Sequence, residues 1–393
     1  MSRVYLDNNA TTPLDDRVKS AITEALDLWA NPSSNNDNAL KAAEAIREAR
    51  CHVAKMFNAD FDGVVFTSGG TEANNWVIEG AIRNWRRKRN GTGVPHVVTT
   101  NVEHPSIVEP LKRREEDGEI SVTYVSVDPS TGYITPRSII NALTPSTCLV
   151  TIMLANNETG VLQPVAETYR LIREKLHDDI VPFLHSDVAQ AAGKIPVDVR
   201  ALGVDAVTVV GHKFYGPRNG ALVFSPKAER LPPMMLGGNQ EDGWRSGTEN
   251  TPMIVGLGEA ARVYNEGADN IQSVLQQNRD YFEELLVKHL RNSHLIHFLS
   301  SPRLPNTSSV AFLDYPSHGC DLLEKAQTFY ASTGAACHKN ECSPILKACG
   351  VPFAMASKTV RISFGRSTKL ADIEKVVEEL VQLCSPPPEK EPN

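Results

Sequence analysis

The chain alternates short, continuous apolar runs with longer stretches in which apolar residues recur every three to four positions. The short runs predict strands at 63–67, 96–100, 120–127, 148–154, 180–185, 206–210 and 221–224. Several have no polar face, the pattern of a strand covered on both sides. Between them the 3.6-residue period predicts helices. Residues 14–29 place Val18, Ile22, Leu26 and Trp29 on one stripe, residues 40–57 repeat the pattern with Ile46, Val53 and Phe57, and residues 71–88 follow the first strand. Strand–helix alternation over roughly 200 residues predicts a three-layer α/β unit with a mostly parallel sheet.

Past Pro252 the pattern changes. Helices are predicted at 253–265, 270–292, 319–328 and 370–383, with strands at 308–313 and 359–364. This mixture reads as a smaller α+β unit. The resulting division is a large domain at 14–255, a small one formed by 1–13 with 256–384, and a disordered tail at 385–393, SPPPEKEPN.

Composition narrows the choice of function. A chain of 393 residues suits two or three domains, with two preferred. Its hydrophobic fraction of 41% and charged fraction of 22% are ordinary, so folding needs neither disulfides nor metals. The net charge of −7 argues against nucleic acid as the main partner. The basic run 83–89, RNWRRKR, reads as a solvated helix end that complements the helix dipole. No run approaches the ~18 apolar residues of a membrane span. The start, MSRVYLDNNATT, has neither a signal-peptide core nor transit-peptide character, and a cytoplasmic location is expected. The cysteines, Cys51, Cys148, Cys320, Cys337, Cys342, Cys349 and Cys384, are odd in number and scattered, as in a reducing compartment.

Five segments could carry chemistry. Ser68-Gly69-Gly70-Thr71-Glu72 joins a strand to a helix and offers an anion the free N–H groups of the helix start, with Thr71 able to cap or to bond a phosphate oxygen. It fits neither a dinucleotide nor a nucleoside triphosphate loop. A plain turn with a Thr cap is the alternative. His185-Ser186-Asp187-Val188-Ala189-Gln190 lies at the carboxyl end of a buried strand, where α/β sheets bind ligands. Asp187 there could hold a protonated ring nitrogen, or could cap the next helix. In Gly211-His212-Lys213 an apolar strand delivers a lysine to buried surface, which lowers its pKa and suits Schiff-base chemistry. His104, before Pro105 at a helix start, could stack on a planar ring or move protons, or could be structural. In Thr333-Gly334-Ala335-Ala336-Cys337-His338, small residues surround a thiol whose neighbouring imidazolium would favour the thiolate. An inert Cys or a zinc site is the alternative. Cys337, His338, Cys342 and Cys349 have the spacing C-H-x3-C-x6-C, which does not match common structural zinc spacings.

Together and in order, these segments resemble the class V aminotransferase family of pyridoxal phosphate enzymes, more narrowly its cysteine desulfurases and selenocysteine lyases. The resemblance runs from YLDNNATTPL to GRSTKLADIEKVV through NPSS, FTSGGTEANN, VEH, ANNETG, HSDVAQAAGK, GHKFYGP, RSGTEN, GAACH and VRISFGRST. It implies pyridoxal 5'-phosphate as cofactor and its fold type I. It implies that Lys213 forms the Schiff base, His104 stacks on the ring, Asp187 pairs with the ring nitrogen and Gln190 contacts the 3′-oxygen, with Asn156 nearby. Gly70, Thr71 and His212 would hold the phosphate. Thr248 would reach the phosphate of a second subunit, making the protein a homodimer. Arg361 would bind the substrate carboxylate and Cys337 would be the nucleophile on the 333–338 loop.

Two positions depart from the family pattern. Many desulfurases have Ser or Thr where this chain has Val210, so one phosphate contact is lost. Animal selenocysteine lyases tend to have an acidic residue where this chain has Pro105. The wording of ANNETG, GHKFYGPR, GTENTPMIVGLG, GAACH, GVPF and VRISFGRST nevertheless lies nearer the selenocysteine lyase branch. The resemblance thus implies cleavage of L-selenocysteine to L-alanine and reduced selenium. The alternatives are a cysteine desulfurase that hands sulfur from a Cys337 persulfide to an acceptor protein, and an ordinary aminotransferase. A catalytically dead binding protein remains the non-enzymatic alternative.

Overall fold

A computed structural model describes residues 3–176, 181–226, 228–334 and 342–384. Its centre is a seven-stranded sheet in the order Val64–Thr67, Gly220–Phe224, Ala206–Val210, Phe183–Asp187, Thr147–Thr151, His96–Thr100, Ser121–Val125. Every pairing from Ala206–Val210 to Ser121–Val125 is parallel. Gly220–Phe224 runs antiparallel to both its neighbours. The connection before it spans only residues 211–219, shorter than the dozen or so residues a parallel crossover needs.

The sheet is buried on both faces, as its unbroken apolar runs require. Val65, Val97, Leu149, Leu222 and Phe224 join Trp76, Ile78, Ile82 and Trp85 of the helix Gly70–Lys88 in one core. The alternate residues Val64, Phe66, Val98, Val150, Val207, Val209 and Val223 join Ile46 and Val53 of the helix Asp37–Met56 in another. The two-residue side-chain period of a strand produces this division.

A third core lies under a separate antiparallel sheet, Thr359–Ser363, Thr307–Phe312 and His294–Ile296. Val310, Phe312, Val360 and Ile362 pack there with Phe282, Leu286, Ile373, Val376 and Leu380. Leu6 from the start of the chain joins them, because Val4–Tyr5 pairs in parallel with Phe329–Tyr330.

Several elements differ from the sequence expectation. The helix expected at 14–29 is Asp16–Ala25, capped by Asp15, whose carboxylate accepts from Arg17 N. Val18 is buried, whereas Leu26 and Trp29 are 61% and 79% exposed, so the apolar stripe does not continue past Ala25. The helices expected at 253–265 and 270–292 form one helix, Thr251–Leu290, with a non-helical residue at Gly267 (φ −135°, ψ 19°). The run expected at 148–154 is regular strand only over Thr147–Thr151; beyond it Ile152 N and Leu154 N still donate to His185 O and Asp187 O, and Ile152, Met153 and Leu154 are buried. The run at 180–185 shifts to Phe183–Asp187. The helices Pro136–Ala142 and Val165–Lys175 had no counterpart in the sequence reading. Among the described residues no helix is long and apolar enough to cross a membrane.

Candidate active site

Four strands deliver chemistry to one edge of the large sheet. Asp187 is the last residue of its strand, and its carboxylate is held from two sides. Asn74 Nδ2 donates to Oδ2 at 2.8 Å and Ala189 N donates to Oδ1 at 2.9 Å. Asn74 Nδ2 also donates to Ser106 Oγ at 2.8 Å, and Ser106 Oγ lies 2.8 Å from His104 Nδ1. His104 is the N-cap of the helix Pro105–Glu116, so its Nδ1 accepts from Ser106 N at 3.1 Å. An Nδ1 that accepts a backbone N–H carries no proton, so the neutral ring keeps its hydrogen on Nε2. Desolvation lowers the His104 pKa and Lys213 adds to this, while Asp187 opposes it.

Lys213 ends the short turn Gly211–Lys213 that follows the strand Ala206–Val210. Its Nζ donates to the carbonyls of Asn9 at 2.7 Å and Ala10 at 2.9 Å. Burial and then the Arg361 charge bring its pKa down to about 8, against the pull of Asp187 and Asp7. The preceding His212 is pushed down to about 4, first by desolvation and then by Lys213 and Arg218. Its Nδ1 lies 3.0 Å from Thr11 Oγ1.

The anion-binding end is built differently from the sequence expectation. The N-cap is Gly69, which has no side-chain cap bond, so Thr71 is the second residue of the helix and not its cap. Glu72 instead reaches back to Ser68 N at 2.8 Å and pairs with Arg245 through both oxygens. Gly70 is required there, because a Cβ on it would lie 2.5 Å from Val210 Cγ2. The valine that departs from the family pattern is thus packed on the helix start.

Arg361 enters from the small sheet. Its guanidinium donates to Asp7 Oδ1 at 2.6 Å and to Asn157 O at 2.9 Å, while its buried Nε has no partner among the described residues.

Gly70, Thr71, His104, Asp187, Gln190, His212, Lys213 and Arg361 all line one cavity of about 410 Å³. Asn156 does not line it. Its side chain donates to Val102 O and accepts from Glu158 N and Thr159 N, which shapes the turn, and Asn157 takes the place on the wall. Thr248 lies in a different recess, with Ser68, Arg218 and Arg245. Cys337 and His338 lie outside the described residues, although Ser332 and Gly334 just before them line the cavity. The sequence reading overlooked Asn74, Ser106, Asp7 and Asn9. Asn74 was findable, since it sits four residues from Gly70 and hence on the same helix face. Asp7 and Asn9 stand in a segment whose place is set by a strand pairing across more than three hundred residues, and no local pattern shows that.

The aminotransferase class-V family matches residues 4–376. The chain belongs to this family. It is 43% identical to the selenocysteine lyase of Bos taurus, over 98% of this chain and 93% of that protein. It is 36% identical to a cysteine desulfurase of Nostoc sp., over 98% and 93% respectively. A solved NifS-like protein superposes with a TM-score of 0.87 at 30% identity, covering 97% of this chain and 99% of that one.

Class-V enzymes use pyridoxal phosphate, and the cavity suits it. A low-pKa amine, a carboxylate for a ring nitrogen and an uncapped helix start for a phosphate converge there. The partnerless Arg361 Nε is a buried donor that an amino-acid carboxylate would satisfy.

Proposed function

We propose that this class-V enzyme cleaves L-selenocysteine to L-alanine and reduced selenium. The observation that carries this is the convergence of Lys213, Asp187 and Arg361 on one cavity, in a chain similar over its whole length to a selenocysteine lyase. Lys213, Asp187, His104, Gln190, Gly70, Thr71 and His212 would hold pyridoxal phosphate, which supplies an electron sink for the bonds at the substrate Cα.

The residues then divide the work. Arg361 takes the substrate carboxylate with its free Nε and fixes which face of the amino acid meets Lys213. Lys213, with a pKa of about 8, is poised to take and return the Cα proton near neutral pH. Asp187 keeps a ring nitrogen protonated, and Asn74 and Ala189 N hold its oxygens in place. His104, with its hydrogen on Nε2, lines the same cavity. Cys337, outside the described residues, would attack selenium. Its thiol would become S–SeH as the carbon–selenium bond breaks, and one hydrogen would return to the former β-carbon, so thiol plus selenocysteine balances perselenide plus alanine; two equivalents of an external thiol, oxidised to a disulfide, would then release selenide and restore the Cys337 thiol.

The desulfurase reading has its own support in Pro105 and in the Nostoc relative. A homodimer, a cytoplasmic location and a protein acceptor for selenium or sulfur complete the proposal. The exposed Thr248, in its separate recess, supports the dimer.

The test supplies selenocysteine and cysteine separately to the cofactor-loaded protein, anaerobically and with a thiol reductant, and measures alanine. Rapid alanine from selenocysteine and little from cysteine is the expected result. Equal release from both, lost in Cys337→Ala, would make it a desulfurase. No alanine from either overturns the reading.

A further inference from the structure

The large core holds one amine that the proposed chemistry leaves unused. Lys194 is 4% exposed, and its Nζ donates to Asn9 Oδ1 and to Gln190 Oε1, each at 2.9 Å. Both acceptors are neutral amide oxygens. An amine buried without a countercharge is costly, and a methionine would fill the same space without that penalty. Its neighbours suggest what it does instead.

Gln190 lines the cavity, and its amide is held at both ends. Oε1 faces Lys194, while Nε2 donates to Asn9 O at 3.0 Å. Lys194 offers hydrogens, and a backbone carbonyl accepts only, so the amide cannot flip. One N–H of Nε2 is left for the cavity. The same carbonyl of Asn9 takes the Lys213 amine at 2.7 Å, and Asn9 Oδ1 is fixed by Lys194 together with Asn306 Nδ2 at 3.1 Å. Lys194 therefore sets the Gln190 donor and the carbonyl that steers Lys213.

We propose that Lys194 is a positioning residue of this site, acting through Gln190 and Asn9 on the group that Lys213 holds. Desolvation, with the Lys213 and Arg361 charges, drives its pKa well below that of an ordinary lysine. The charged or titratable groups that face the site are Lys213, Arg361, Asp187, His104, His212 and Asp7.

This inference rests on the pyridoxal phosphate reading. The test therefore begins with the visible absorbance of the wild-type protein loaded with pyridoxal phosphate, and with the pH midpoint of that absorbance. No band in the wild type overturns the cofactor reading and this inference with it. With the band present, Lys194→Met, Lys194→Gln and Gln190→Ala are titrated in the same way, and the melting of each cofactor-free chain is recorded. Both Lys194 variants should move the midpoint by about half a pH unit or more, a roughly threefold change in proton affinity, with Met moving it further than Gln. Adding Gln190→Ala to either should move it by less than the sum of the two single shifts, the part beyond Gln190→Ala alone passing through Asn9. Any folded Lys194 variant with an unmoved midpoint, whatever its melting temperature, overturns the proposal, as do additive shifts.

Discussion

At the scale of single residues, burial sets most of the chemistry. Lys213 is a lysine like many others in the sequence, but desolvation and Arg361 lower its pKa to about 8. In the cofactor-free chain, labelling of Lys213 by an acylating reagent should rise with pH about a midpoint near 8, well below the ~10.4 of a solvated lysine. Mass spectrometry of the labelled peptide checks this, and Arg361→Ala should raise the midpoint. Glu103 is pushed up to about 8, chiefly by desolvation, although it accepts from Met153 N and from Thr100 Oγ1. The folded chain then keeps a proton on Glu103 that the unfolded chain releases near its ordinary pKa of about 4.3. Its contribution to stability is whole below that value and is lost as pH rises through about 8. Urea unfolding from pH 5 to 9 should show the decline, and Glu103→Gln should flatten it. The sequence marked Lys213, His104 and Asp187 by their places after buried strands. It placed Asn74 only on the helix face of Gly70 and gave no sign of Ser106, because the chain linking Asp187 to His104 exists only once a helix and two strand ends are brought together.

At the scale of elements, close contacts explain which expectations held. The strand runs were legible because a strand buried on both faces tolerates few polar residues. Their ends were not, because Ile152, Met153 and Leu154 stay buried where the regular ladder has ended. Amphipathic periodicity misled at Leu26 and Trp29, where the helix has already ended at Ala25. The joint between strand and helix at Gly70 shows the opposite case, a local motif with a packing reason. Gly70→Ala would drive a methyl group into Val210, and overpacking of this kind costs about 1–3 kcal/mol. Val210→Ala opens the space, so the double variant should recover most of the loss. Denaturant unfolding of the two single variants and the double variant measures it, and additive effects would mean that the contact is not the cause.

At the scale of the whole molecule, one helix ties two cores together. Ile254, Leu257, Ala261 and Leu275 of Thr251–Leu290 pack in the core shared with Asp37–Met56, while Phe282, Leu286 and Leu290 pack in the small-sheet core. The small sheet therefore presents Arg361 to a cavity that His104, Asp187 and Lys213 of the large one also line. Thr248 lies outside that cavity, beside Ser68 and Arg218. If it serves a second subunit, sedimentation should give the mass of two chains. Thr248→Ala should then weaken pyridoxal phosphate binding about tenfold, the loss of one charge-assisted hydrogen bond, with no change in the melting of the cofactor-free chain. A monomer by sedimentation, or unchanged binding in the variant, would count against that role.

The sequence by itself determined the layered α/β class, since alternation of apolar strands with amphipathic helices is a local property of the chain. It also marked His104, Asp187 and Lys213 as candidates, because residues at the carboxyl ends of buried strands stand where α/β sheets bind ligands. Only the tertiary structure decided that Asp7 and Asn9 belong to the same site. Their place depends on Val4–Tyr5 pairing with Phe329–Tyr330, a contact between the two ends of the chain that leaves no periodic trace. The replacement of Asn156 by Asn157 on the wall was likewise decided there. Two adjacent asparagines are equivalent on paper, and only the turn they form determines which is spent on the backbone and which lines the cavity.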